Sequence, residues 1–292
     1  MIVDAHVHIF KALSERYPRG VHELFPAELE APVEDLIERM NQAGVDRAVL
    51  VPLTPHDEYV IEVVRRHDPM FVWVGVADAE AVDPVADLER RSDGTDMRGL
   101  RIHVLGDPET GDVRRLSIFP LLEAMRDRGS IVWFYGAPDQ QALLVRVMEQ
   151  LPDLIVVLNH LGFCQNGYER DQYGRPRIQT LLPPPTLENV RRLADHPGVH
   201  AHFSGQYAFS KEEYPHLDLR TTVDALVETL GPERLLWASD YPWIAEHPGY
   251  RKQLDLPMTL IQGLSEQDRA AVMGGNAARL FGLDLGANGA SG

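Results

Sequence analysis

Met1-Ile2-Val3-Asp4-Ala5-His6-Val7-His8-Ile9-Phe10 opens the chain, an apolar run in which Asp4, His6 and His8 stand at alternate positions. Alternate side chains of a β-strand share a face. This reading puts both imidazoles, and Asp4 with them, on one side at the strand's exit. Two neighbouring imidazoles are costly to bury unless something receives them, and a divalent cation is the usual receiver. The plain alternative is a surface strand with two solvated histidines. What the rest of the chain sends to the same place decides between them.

Outward from this strand, short apolar runs recur near 46–52, 71–77, 98–104, 130–135, 154–160, 199–204 and 234–240, the first lying near 2–9. Helical patterns sit between them, near 33–43, 56–67, 84–91, 117–128, 139–150, 186–195, 221–230 and 256–263. Eight strands alternating with helices predict an α/β fold, a distorted (β/α)8 TIM barrel. The rival is a doubly wound open sheet, but no Gly-x-Gly-x-x-Gly follows a strand and no phosphate-binding Gly-x4-Gly-Lys loop appears. One domain is expected over 1–285, followed by a flexible Gly/Ala/Ser-rich tail over 286–292. Two stretches are irregular. Residues 10–32 read as a loop after strand 1, and 161–185 as a long insertion after strand 6, on the face where barrel sites lie.

In a barrel the outer strand face packs on helices, while the inner face can be polar near its C-terminal end. By that parity Arg101 and His103 of strand 4 point inward, as do His200, His202 and Ser204 of strand 7. His160 ends strand 6 and Asp240 ends strand 8. His200 reads as a core histidine and Tyr135 as core with its hydroxyl at the rim. His22, His56, His67, His196, His216 and His247 fall in helices or loops and read as solvated. The convergence of polar residues on one barrel end is what a catalytic site needs. His6, His8, His160 and Asp240 offer three imidazoles and one carboxylate. That set can hold one divalent ion, with a place left for water, and the carboxylate can accept the water's proton.

Composition narrows the partners. A net charge of -16 argues against nucleic acid and against anionic membrane. No apolar run is long enough for a membrane span. The N-terminus lacks a secretory pattern, and Cys164 is the sole cysteine. A cytoplasmic location is therefore expected. Phe163, Tyr168, Tyr173, Leu181 and Leu182 give the insertion an apolar surface that wants a cover. The cover is either the barrel mouth or a second subunit, so a homodimer or larger homo-oligomer is expected.

The chain resembles the amidohydrolase superfamily, in its amidohydrolase-related branch with sugar-lactone and 2-pyrone-4,6-dicarboxylate lactonases. The resemblance rests on DAHVH at 4–8, RAVLVP at 47–52, MRGLRIH at 97–103, NHLG at 159–162, HFSG at 202–205, ASDYPW at 238–243 and GGNAARLFGL at 274–283. It implies metal or active-site roles for His6, His8, His160 and Asp240. Two-metal members use a carboxylated lysine or a glutamate as bridge. Neither ends a strand here, so one ion is expected, zinc or alternatively manganese; some lactonases of the branch work without metal. Related lactonases often carry a lysine where His202 stands.

The leading expectation is a hydrolase opening a lactone or similar cyclic ester by attack of an activated water. Asp240 is then the base, with His160 and His202 as further catalytic candidates. Arg101 and His103 bind substrate, and Tyr241 and Trp243 line the pocket. The alternative is a metal-dependent decarboxylase of an unsaturated or aromatic acid, with His202 or His103 donating a proton to carbon. A barrel that only binds is the remote third.

Overall fold

β-Branched and aromatic residues fill the short apolar runs, and each run forms a strand. The structure, a computed structural model, describes residues 1–283. The tail expected at 286–292 and the last two residues of the expected domain lie outside the described residues. In chain order the strands are β1 (Val3–Val7), β2 (Arg47–Leu50), β3 (Phe71–Val76), β4 (Met97–Ile102), β5 (Ile131–Phe134), β6 (Ile155–Leu158), β7 (Glu169–Arg170), β8 (Pro176–Arg177), β9 (Val199–Phe203) and β10 (Leu235–Trp237). Eight pair in parallel in the order β1-β2-β3-β4-β5-β6-β9-β10. The ends of this sheet meet: the His8 N–H donates to the Tyr241 carbonyl at 2.7 Å, and the Asp240 N–H to the His6 carbonyl at 3.0 Å. The sheet is thereby a (β/α)8 barrel, with helices between successive strands.

Each expected helix has its counterpart, from Val33–Ala43 to Leu256–Leu260. The first shows why: Val33, Leu36 and Met40 make one apolar stripe, and all three are buried. Strand parity separates two layers. Val49, Val74, Trp133, Val157 and Leu236 belong to the interior cluster. Leu50, Trp73, Leu100, Phe134 and Leu158 belong to the larger cluster that includes the helices.

β1 breaks the alternation. Its register against β2 slips between Asp4 and Val7, which take up one extra residue. Asp4 pairs with Ala48 and Val7 with Leu50, both in the outer layer. The expectation that Asp4 shares a face with the two histidines is therefore corrected. Its carboxylate accepts from the Ser239 N–H at 2.8 Å and from the Tyr250 hydroxyl at 2.8 Å. Asp4 ties β1 to the chain just beyond β10, and so helps close the barrel beneath the site.

The 161–185 insertion, irregular by its sequence pattern, contains the β7–β8 hairpin. Phe163 is buried, stacked on Phe209 with centroids 4.2 Å apart, and Tyr173 stacks on His247 at 3.7 Å. Of the five apolar residues that suggested a second subunit, Phe163 is buried and Leu182 half-buried, while Tyr168, Tyr173 and Leu181 are exposed. Among the described residues no helix is long and apolar enough to cross a membrane.

Candidate active site

The floor of the site is built at the C-terminal ends of β1, β6 and β10. His8 Nδ1 lies 3.0 Å from the Val51 carbonyl oxygen. A carbonyl only accepts, so Nδ1 carries the proton and Nε2 presents a lone pair. His6 Nε2 lies 3.0 Å from His8 Nε2 and 3.3 Å from Asp240 Oδ1, and His8 Nε2 lies 3.8 Å from the same oxygen. Burial holds His6 well below the ordinary histidine range and pushes His8 down to about 3, so both are neutral at pH 7. Zinc bonds of roughly 2.0–2.1 Å in a tetrahedron put ligand atoms roughly 3.3 Å apart. The three spacings bracket that value, so His6, His8 and Asp240 fit a divalent cation.

His160 stands beside this trio. Its Nε2 lies 3.7 Å from the other carboxylate oxygen, Asp240 Oδ2, and its Nδ1 is 2.9 Å from the Ser204 hydroxyl. The structure thus brings together the four expected ligands, three in a compact set and His160 at its edge. A Cβ at Gly205, whose φ is +73°, would come within 2.5 Å of the His160 ring. That explains the Ser-Gly of HFSG: the serine orients the imidazole and the glycine leaves room for it. His160 (φ 43°) and Asp240 (φ 63°) both hold left-handed backbone without being glycine. Strain of that kind persists where surroundings fix it, often at functional sites.

Asp240 is fully buried and its carboxyl is pushed up to about 7, chiefly by loss of solvent. The Tyr207 hydroxyl donates to Oδ2 at 2.6 Å and works against that rise, as does Arg101. Sequence reasoning missed Tyr207. The available signal was a tyrosine two residues after the Ser-Gly that ends β9, where a buried hydroxyl needs a partner. Arg101 lies over the faces of Trp133 and Tyr135, 5.7 and 5.3 Å from their centroids, and makes no ion pair among the described residues. His103 Nδ1 meets the Tyr135 carbonyl at 2.8 Å, and burial pushes this imidazole down to about 4.

His8, Arg101, His103, His160, Asp240 and Trp243 all line one cavity of about 460 Å³. Three expected residues, His6, His202 and Tyr241, do not; His6 is fully buried beside this cavity. His202 is sealed below it, its ring 4.2 Å from Trp133 and 5.5 Å from His6, with Nδ1 3.3 Å from Asn159 Oδ1. Tyr241 is turned toward Tyr250 and away from the cavity. Tyr135 lines the wall, as its position suggested.

The rim comes from the long loops. His22, Leu24 and Phe25 reach it from the segment after β1, and Tyr168 and Ile178 from the insertion. The Tyr168 hydroxyl lies 2.5 Å from His22 Nε2, joining the two loops across the mouth. His22 is therefore not simply solvated. Nor is His216, which is buried with Nδ1 2.9 Å from the Glu212 carbonyl. His56 is exposed; His67, His196, His200 and His247 are half-buried.

A family model described as amidohydrolase matches residues 3–283. An L-fucono-1,5-lactonase of Burkholderia ambifaria is 26% identical over 294 residues, covering 97% of this chain and 96% of that protein. A 4-sulfomuconolactone hydrolase of Rhizobium radiobacter is 25% identical over 301 residues, covering 96% of this chain and 89% of its own. A solved Pseudomonas putida protein assigned as a 2-pyrone-4,6-dicarboxylic acid hydrolase superposes with a TM-score of 0.74 at 24% identity, over 97% of this chain and 98% of that one.

Proposed function

The chain belongs to the amidohydrolase family, and from that premise we propose that it hydrolyses a lactone to a hydroxy acid. One observation carries the reading: Asp240, poised near neutrality, faces His6, His8 and His160 at the floor of the cavity that also holds Arg101, whose side chain is unpaired among the described residues. His6, His8 and Asp240 Oδ1 would hold the metal ion, with zinc the choice for two imidazoles and a carboxylate. When bound, such an ion polarises a carbonyl and makes water more acidic.

The chain's own groups do the rest. Tyr207 fixes the carboxylate plane through Oδ2, whose second lone pair takes the proton of the attacking water. The water oxygen bonds to the carbonyl carbon, the ring C–O bond breaks, and the proton held by Asp240 passes to the departing alkoxide. His160, neutral and oriented by Ser204, lies against the reacting carbonyl. Arg101 receives a negative or strongly polar oxygen of the substrate, and His103 and Trp243 bound the ring. We place the enzyme in the cytoplasm, where a single buried thiol at Cys164 needs no pairing.

The product acid ionises at neutral pH, so each turnover releases a proton. A pH-indicator screen over sugar lactones and pyrone- or muconate-type lactones tests the reading. Acid release that disappears in Asp240→Asn is the expected result. Carbon dioxide release from unsaturated or aromatic acids, with no lactone opened, would replace it by decarboxylation. Neither sequence relative described above is named as a decarboxylase.

A further inference from the structure

The cavity has a charge pattern that limits what it can take. Arg101 is its one cationic lining residue among the described residues, and Asp240 its one carboxylate. Asp240 is already engaged by Tyr207 and faces His6. Arg101 is not: it is 8 % exposed, its side chain makes no hydrogen bond or ion pair among the described residues, and its Nε is sealed without a partner. Aromatic faces hold the guanidinium in place but leave its N–H donors unmet. A buried, unpaired guanidinium is costly and wants an anion.

Above the floor the character changes. Leu24, Phe25, Leu53, Ile178 and Trp243 bring apolar surface to the outer wall. Of the polar side chains that the loops bring there, His22 and Tyr168 are hydrogen-bonded to each other, and Gln165 lies beside His103. A second carboxylate on the substrate would lose its water without meeting a counter-charge, and a ring of hydroxyls would meet apolar side chains over most of that wall.

We propose that the substrate is a lactone with one carboxylate, which pairs with Arg101, and an apolar substituent that lies against Leu24, Phe25, Ile178 and Trp243. The proposal rests on the lactonase reading and narrows it. It sets this cavity apart from one made for a dicarboxylated pyrone or for a polyhydroxylated sugar lactone.

The test pairs turnover with binding. Ring opening is followed by chromatography for γ-phenylparaconate (a lactone with one carboxylate and one phenyl group), its methyl ester, 2-pyrone-4,6-dicarboxylate and L-fucono-1,5-lactone. Wild-type kcat/KM should be about tenfold or more higher for γ-phenylparaconate than for each of the others, the order expected for one charge-assisted pair. In Arg101→Met the preference for the acid over its ester should shrink by about tenfold. Calorimetry with trans-2-phenylcyclopentanecarboxylate, which has no bond to hydrolyse, should show binding to wild type that its methyl ester lacks. Preference for the dicarboxylate or the sugar lactone would overturn the proposal while leaving lactone hydrolysis standing. Binding of the carbocyclic acid without opening of any lactone would uphold the recognition and remove the reaction. Equal binding of that acid and its ester overturns the recognition whatever the turnover.

Discussion

The floor of the cavity is carried by strand ends, and its rim by two long loops. On the floor, His8 is held by the Val51 carbonyl, His160 by Ser204 and Asp240 by Tyr207, each at 3.0 Å or less. On the rim, one hydrogen bond between His22 and Tyr168 joins segments separated by 146 residues. Floor groups are fixed by a ladder that cannot slide without breaking the barrel. Rim groups are fixed by each other. The difference assigns chemistry to the floor and substrate choice to the rim.

Substitutions can break that division. Asp240→Asn keeps the shape and removes the proposed base. It should lower kcat by about 10²–10⁴-fold with the melting temperature little changed; wild-type turnover would take Asp240 out of the reaction. Tyr207→Phe removes one hydrogen bond to a charged group, which is about 1.5–3 kcal/mol. Its expected cost is roughly 10–100-fold in kcat with KM nearly constant, and a loss in KM alone would move Tyr207 to the binding side. Tyr168→Phe opens the rim contact. It should change KM by a few-fold, about 1 kcal/mol or less, and leave kcat alone; a collapse of kcat would erase the distinction between floor and rim.

The smallest expected effect is on stability. In protein stripped of divalent ions, burial holds His6, His8, His103, His160 and His202 below their unfolded values. The unfolded chain therefore takes up more protons at these sites as pH falls below about 6.5, and stability is lost in that direction. Asp4 and Asp240, raised to about 6 and about 7, act in the opposite sense. They favour the folded state when protonated and weaken it as pH rises through those values. Five imidazoles outweigh two carboxylates, so the melting temperature should fall between about pH 6.5 and 5. A rise over that range would mean that the carboxylates dominate the floor.

Much of this was legible in the sequence, and the misses share a cause. Alternation distinguishes inside from outside, and it places Arg101, His103 and Asp240 on the side they occupy; His160 has the parity of the outer-layer Leu158 and is turned inward by its left-handed backbone. Alternation does not give height along the barrel axis. His202 faces inward, but it pairs with Leu236, four residues before Asp240, and so lies under the cavity. A bulge has no signature in an apolar run, and that hid the turn of Asp4 to the outer layer. Tyr207 and the His22–Tyr168 contact depend on where loops land, which periodicity does not record.

The left-handed backbone at Asp240 also acts as a filter on what evolution can try there. Of the non-glycine residues, asparagine and aspartate enter that region most readily, while branched or bulky side chains resist it. Glutamate, the usual conservative exchange, would bring a longer arm to a backbone that disfavours it. The easiest change that keeps the main chain is to asparagine, which removes the carboxylate proposed as the base. Descendants of this enzyme that lose catalysis yet keep their shape should therefore carry asparagine at this position more often than any other replacement, and a silent member of the lineage could be recognised by that one letter.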